Sequence, residues 1–358
     1  MSLHFEKVSV KQVKKETADC VSIVFDIPES LQEKFKYKQG QHLTMRAFIN
    51  GEEVRRSYSL CSSPLNNEWR VAVKKVDGGL FSTYANDILK SGETLELMEP
   101  MGHFFTELNP THKKSYAAIA SGSGITPILS IIKTVLATEP NSEFTLVYGN
   151  RNRSSVIFKE ELEALKNKYI NRFRIVYVLS RERTDAEINH GRIDANKCAA
   201  LFNKLVSLDT DEFFICGPEE MIFTVKDFLE EKGVDKKKIH FELFTTGNTV
   251  QRNAKSEKQH ESTERKSNIT VKLDGITFDF QVPFNGNAIL DEALKNGADL
   301  PYSCKGGVCC TCKARLLEGE VDMDVSYGLE AEEIEEGFIL ACQSHPKTEK
   351  VVIDFDIK

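Results

Sequence analysis

The sequence predicts a three-domain chain: an antiparallel β-barrel, a doubly wound parallel α/β domain, and a smaller domain mixing strands and a helix. Three observations carry this. A length of 358 residues suits two or three domains. Residues 1–110 consist of short alternating runs punctuated by Gly, Pro and Asn, whereas 111–245 alternate strands with helices. Residues 246–267 contain only Val250 and Ala254 as apolar residues, too few to bury a core, and so divide these parts from 268–358.

In the first part the strand candidates are "CVSIVFDI", "QHLTMRAFI", "RSYSL", "WRVAVKKV" and "ETLELMEP", with one helix at "LFSTYANDILK". Their β-branched and alternating character, with turn residues between, predicts the barrel. In the second part "SYAAIA" is a buried-strand run that leads through "SGSGITP" into the helical "ILSIIKTVLA". Strand "FTLVYG", helix "FKEELEALKNK", strands "FRIVYVLS" and "EFFICG", helix "EEMIFTVKDFLEEKG" and strand "KIHFELF" complete the alternation. The stretch 246–267 reads as a linker, about 25 Å end to end if flexible. Beyond it, "ITVKLDGITFDFQV" is two alternating runs joined by Asp-Gly, a hairpin signal, and "AILDEALKNG" is a short helix ended by glycine.

Composition is that of an ordinary globular protein, 41% hydrophobic and 28% charged. The most apolar stretch, "YAAIASGSGITPILSIIKTVLA", is interrupted by Ser, Gly, Thr and Pro, which argues against a membrane span. The start, "MSLHFEKVSVKQV", lacks the apolar core of a signal peptide. Nine mostly scattered cysteines, an odd number, argue against a secreted disulfide framework, so the expected location is the cytoplasm. From Asn268 onward 17 Asp and Glu face 8 Lys and Arg, a net of −9. Such an end suits a protein partner with a basic patch and speaks against nucleic acid.

"SCKGGVCCTC" places Cys304, Cys309, Cys310 and Cys312 within nine positions, and Cys342 follows in "LACQS". A disulfide reading needs an oxidising compartment, and structural zinc prefers two separate C-x2–4-C pairs where only one exists. The spacing Cys304-x4-Cys309-x2-Cys312…Cys342 instead fits a [2Fe–2S] cluster, with Gly306 and Gly307 letting main-chain N–H groups point at the sulfurs. Cys310 falls between two ligands and is expected to face away as a small packing residue. Residues 268–358 thus resemble a plant-type ferredoxin, which implies a β-grasp-like fold and the four cysteines Cys304, Cys309, Cys312 and Cys342 as ligands.

An electron carrier of this kind needs a feeder. "RRSYSL" resembles the R-x-Y-S signature of the ferredoxin-NADP reductase superfamily, which implies Arg56 as a forked cation for a flavin phosphate, Tyr58 as an aromatic face for the flavin and Ser59 as a hydroxyl near its edge. "GGLFSTY" opens a helix at Gly79, Phe81 and Ser82, whose amides suit a pyrophosphate. "SGSGITP", with Gly122, Gly124 and Thr126, sits between strand and helix where a glycine turn admits a dinucleotide. With "EPMGHF", "ICGP" and "FELF" these segments resemble, in order, the motifs of the ferredoxin-NADP reductase superfamily. The resemblance implies FAD rather than FMN, with Phe104 near the adenine. It puts Cys216, Gly217 and Pro218 beside the nicotinamide, Glu242 near the flavin, and Tyr58, Ser59, Cys216 and Glu242 at the chemistry. Ser180 and Arg181 stand where users of NADPH place a hydroxyl and a cation for the 2′-phosphate; Arg151 and Arg153 add charge, while Glu182 is one position away, and NADH stays open.

The domain order resembles the reductase components of bacterial multicomponent oxygenases. That implies hydride transfer from NADPH to FAD, single-electron transfer to the [2Fe–2S] cluster, and delivery to a diiron or Rieske oxygenase through the acidic last domain. Relatives serving steroid hydroxylases or hybrid-cluster proteins share parts of the plan. A stand-alone iron–sulfur carrier or redox sensor is the alternative from another class, and it predicts no steady NADPH oxidation.

Overall fold

A computed structural model describes residues 4–244, 265–284 and 286–357. The region 246–267 falls largely outside the described residues, and the next strand begins within it, at Lys266.

The first unit contains β1 (Glu6–Thr17), β2 (Cys20–Asp26), the single turn α1 (Glu29–Gln32), β3 (His42–Ile49), β4 (Glu52–Ser59), β5 (Trp69–Lys74), α2 (Leu80–Asp87) and β6 (Thr94–Leu97). The strands form one antiparallel sheet in the order β4-β3-β6-β1-β2-β5. A bridge from Leu60 to Val71, with Cys61 N–H donating to the Arg70 carbonyl at 2.7 Å, joins its two edges and closes the barrel. Sequence reading omits β1, because lysines alternate along it and few of its twelve residues, among them Val8 and Val10, turn into the core. In β3 the alternation points Leu43 and Met45 inward, so His42 and Thr44 point out, toward the third unit.

The second unit runs β7 (Ser115–Ser121), α3 (Ile125–Thr138), β8 (Glu143–Asn150), α4 (Lys159–Lys168), β9 (Phe173–Leu179), α5 (Ala195–Lys204), β10 (Glu212–Gly217), α6 (Glu219–Glu231) and β11 (Ile239–Leu243). All its pairings are parallel, in the order β11-β10-β7-β8-β9. The order reverses between β7 and β10, and a crevice opens at their carboxyl ends. Helix α5, unforeseen in the sequence, starts where the Asp194 carboxylate accepts from Lys197 N–H at 2.8 Å.

The third unit comprises β12 (Lys266–Leu273), β13 (Ile276–Pro283), α7 (Ile289–Lys295), β14 (Lys313–Glu318), β15 (Val321–Met323), α8 (Ala331–Glu335), β16 (Phe338–Leu340), β17 (Ser344–Pro346) and β18 (Lys350–Asp354). Its mixed sheet has the order β13-β12-β18-β14-β16, and β15 pairs with β17. The β12–β13 turn is Asp274-Gly275, both with positive φ (54° and 71°), as the hairpin signal requires. Among the described residues no helix is long and apolar enough to cross a membrane.

Candidate functional site

The three units meet around one cavity of 1340 Å³. The barrel supplies β4 and the start of α2, the parallel sheet supplies its carboxyl-edge loops, and the third unit supplies residues 302–305, 308 and 309.

On the barrel wall Arg56 is exposed, and its Nη1 donates to the Arg55 carbonyl at 2.7 Å. The Tyr58 ring lies 5.5 Å from that of Phe81, tilted by 33°, which makes an aromatic wall. Gly79 is the N-cap of α2, and the Ser82 hydroxyl, accepting from Val76 N–H at 3.0 Å, fixes the turn before it. Ser59 Oγ donates to Glu242 Oε2 at 2.9 Å, so a residue of β4 meets the end of β11. Burial pushes the Glu242 carboxyl up to about 8, the Ser59 bond pulling the other way and Cys309 adding to the rise. A proton therefore rests on this wall at neutral pH.

The sheet contributes the turn after β7. Gly122 has φ of 56° and its carbonyl accepts from the Tyr148 hydroxyl at 2.9 Å. At Gly124 a Cβ would come within 2.1 Å of the Cys216 carbonyl oxygen, so only glycine lets this turn rest on β10. Thr126 donates back to the Ser123 carbonyl at 3.0 Å and lines the cavity, as do Gly217 and Pro218. Gly124, Cys216 and Phe104 stand behind the wall instead. Cys216 is fully buried, and burial pushes its thiol well up. Phe104, expected near an adenine, packs edge-on against Phe214 at 5.5 Å. The reason is local: Met101 is pinned to His42 by paired main-chain bonds, which carries the following residues across to the parallel sheet's core.

Farther along, Ser180 and Arg181 follow β9 beside Arg151, with Arg181 N–H donating to the Arg151 carbonyl at 2.8 Å. Glu182 is drawn off this edge: it accepts from Arg153 Nε at 3.1 Å and from Arg153 N–H at 2.8 Å. Arg192 lines the same end. Sequence reading missed it, since it lies outside every motif.

In the third unit the four thiols fall into two pairs. Cys304 lies against Cys309, and Cys312 against Cys342. In each pair the neighbour pulls one thiol down, Cys304 to about 7, and pushes the other up. Gly306 N–H donates to Cys304 Sγ at 3.2 Å, and Gln343 reaches Cys342 Sγ at 3.7 Å while tying itself to the Lys305 carbonyl. Two thiol pairs with donors aimed at the sulfurs fit two bridged irons; no three His, Cys, Asp or Glu side chains among the described residues gather as a single-ion site would. Cys310, with φ of 49°, makes no thiol hydrogen bond to these four, and burial pushes its own thiol up.

This unit docks on the barrel through the arginine that precedes the flavin motif. Arg55, 5% exposed, donates to Asp299 Oδ1 at 3.0 Å and the Leu300 carbonyl at 3.2 Å, and lies 4.2 Å over the Tyr302 ring. Ser57 meets Ser303 at 2.8 Å, and Thr44 meets Thr311 at 3.3 Å. The doublet Arg55-Arg56 thus divides its labour between docking and the cavity, a division that sequence alone does not disclose.

A parallel-sheet nucleotide domain, a barrel and a two-pair thiol loop around one cavity define a flavin- and nicotinamide-dependent electron-transfer reductase with its own iron–sulfur domain. Family profiles agree: "Oxidoreductase FAD-binding domain" matches residues 7–106, "Oxidoreductase NAD-binding domain" 118–227 and "2Fe-2S iron-sulfur cluster binding domain" 271–347. The chain is 44% identical to a component of the 1,2-phenylacetyl-CoA epoxidase of Escherichia coli K12, over 99% of this chain and 98% of that protein. It is 36% identical to the ferredoxin reductase component of 3-ketosteroid-9-alpha-monooxygenase from Rhodococcus rhodochrous, over 97% and 96%. Among solved structures, phthalate dioxygenase reductase matches with a TM-score of 0.60 at 25% identity, over 98% of both chains. The chain belongs to the family of oxygenase reductase components that carry FAD-binding, NAD-binding and [2Fe–2S] domains in this order.

Proposed function

We propose that this reductase uses NADPH and serves an oxygenase of the phenylacetyl-CoA epoxidase type, and that residues 1–110, 111–245 and 268–358 are its FAD, nucleotide and cluster domains, joined by 246–267. The observation that carries the reading is that Cys304 and Cys309 line the same cavity as Tyr58, Ser59 and Gly122, so donor, relay and acceptor sites share one chamber. When bound, FAD accepts a hydride and gives up its electrons singly, and the cluster takes one at a time. Arg56 holds a flavin phosphate, Tyr58 covers the ring, and Gly79, Phe81 and Ser82 frame the pyrophosphate. Ser59 and the protonated Glu242 hold a proton where the flavin's reacting edge rests. Gly122, Thr126, Gly217 and Pro218 seat the nicotinamide half; Gly124 and Cys216 support them from behind. Phe104 has no cofactor role in this scheme.

Three arginines, Arg151, Arg181 and Arg192, border the far end beside Ser180. None has a carboxylate partner within 4.0 Å among the described residues, whereas Arg153 occupies Glu182. Unspent cations with the acid removed favour a 2′-phosphate over a ribose diol. The acidic third domain, net −9 from Asn268, suits an oxygenase face rich in Lys and Arg. All nine cysteines are free, in keeping with a reducing cytoplasm.

The test is direct. Heat-released flavin should run as FAD, and Arg56→Ala should weaken its retention. Arg181→Ala should raise KM for NADPH about ten- to a hundredfold, the loss of one charge-assisted hydrogen bond, while barely moving KM for NADH. Wild-type preference for NADH, or equal effects on both nucleotides, defeats the NADPH assignment. Co-purification with oxygenase components, identified by mass spectrometry, tests the partner.

A further inference from the structure

His42 opens β3 and pairs in register with Ser59, so its ring shares the outward face with Thr44, Ser57 and Ser59. It is 5% exposed and lines the common cavity. Its Nε2 is wholly buried and, among the described residues, has no hydrogen-bond partner. The ring faces the main-chain carbonyl of Cys309, short of a full hydrogen bond. On its other side lies Gly102, with φ of 115°, where a Cβ would come within 2.9 Å of His42 Nδ1. Glycine is required there for the imidazole to keep its place. A buried polar atom without a full hydrogen bond is costly, and here the acceptor it faces belongs to the ligand turn that meets the flavin wall.

We propose that His42 is a positioning residue for electron entry into the cluster: with its proton on Nε2, it donates toward the Cys309 main chain and holds that ligand turn against the flavin site. The inference rests on FAD and cluster sharing this cavity. In the step it serves, one electron leaves reduced FAD and enters an iron held by Cys309; no bond to His42 forms or breaks, and the ring keeps its proton. A donor dipole aimed at a ligand turn also stabilises the more negative, reduced cluster, so its loss lowers the midpoint potential.

The experiment uses the full-length holoprotein, mixed anaerobically with NADPH in a stopped-flow instrument. FAD bleaching reports the first step and freeze-quench EPR the arrival of the electron at the cluster. In His42→Leu, cluster reduction should slow at least tenfold more than FAD reduction does, and the cluster potential should fall. His42→Gln, whose amide nitrogen extends to a similar point, should recover most of both. Equal slowing of the two phases, an unchanged potential, or a Gln variant no better than Leu overturns the proposal, because a purely structural imidazole would behave so. Should the Leu variant not fold, wild-type protein labelled with 15N-histidine gives an independent answer: pulsed EPR of the reduced cluster should reveal a histidine 15N coupling, and its absence overturns the assignment. Failure of the shared-cavity reading is distinct, since wild-type protein would then lack stoichiometric FAD or iron.

Discussion

The barrel has two seams, and they are built from different materials. Toward the parallel sheet, Cys61, Ala72 and Phe104 enter one apolar core with Ile128, Ile131 and Phe214. Ser130 donates to the Ser62 carbonyl at 2.6 Å, and Ser63 meets Thr134 at 2.9 Å. Toward the third unit the contacts include hydroxyl pairs, the Arg55 fork and His103 Nε2 at 3.4 Å from Glu333. The first seam resembles a domain interior; the second has the polar character of interfaces between separable partners. The FAD and nucleotide walls are thus fixed to each other by desolvated packing, while the cluster loop is held by directional bonds whose strength depends on charge and solvent.

Substitutions can break this contrast, the most severe first. Cys342→Ser or Cys304→Ser should reduce bound iron and acid-labile sulfide from about two each per chain to near zero, while Cys310→Ser keeps both; metal analysis with the visible spectrum checks it. Phe104→Ala strikes the apolar seam and should cost about 3–5 kcal/mol of stability, read from denaturant unfolding. Retention of wild-type stability would mean that the seam is not the core it resembles. Arg55→Ala strikes the polar seam and should weaken docking by about 1.5–3 kcal/mol. It should show as slower cluster reduction that worsens with added salt, with global unfolding little changed.

The smallest effect belongs to an ion pair inside the first seam. Arg70 Nη2 reaches Glu161 Oε1 at 2.8 Å, and Lys133 pairs with the same carboxylate. Burial pushes Glu161 up, but Lys133 and Arg70 together hold it below its ordinary 4.5. A depressed carboxylate stabilises the fold above the unfolded value and loses that contribution as pH falls from about 4.5 through the folded one. Glu161→Gln should cost about 1 kcal/mol at neutral pH and make acid unfolding between about pH 5 and 3 less steep. An identical acid profile would show that the pair adds nothing to the seam.

How legible was this in the sequence? The architecture was, because strand–helix alternation in 111–245 and the Asp-Gly hairpin are local signals. The iron–sulfur domain was as well, since spacing alone confines three thiols to one loop. Arg192 and His42 were not: nothing adjacent marks them, and each acquires meaning only when distant strands bring it to the cavity. Phe104, expected near an adenine, shows the opposite pull: its motif resembles a cofactor contact, while the Met101–His42 bridge turns its ring into a core. Strand β1 escaped because its lysines hide an inward row of valines.

The cavity walls begin at His42 and end at Cys309, a span of sequence that has a bearing on biosynthesis. A ribosome adding about 5–20 residues per second releases the barrel well before the last wall exists. A nascent chain can therefore fold its β-barrel and nucleotide domain while the chamber still lacks Tyr302, Cys304 and Cys309. Flavin captured at that stage would sit in a site open on one side, and the iron–sulfur assembly machinery would meet its four cysteines last, on a domain whose docking face is already waiting.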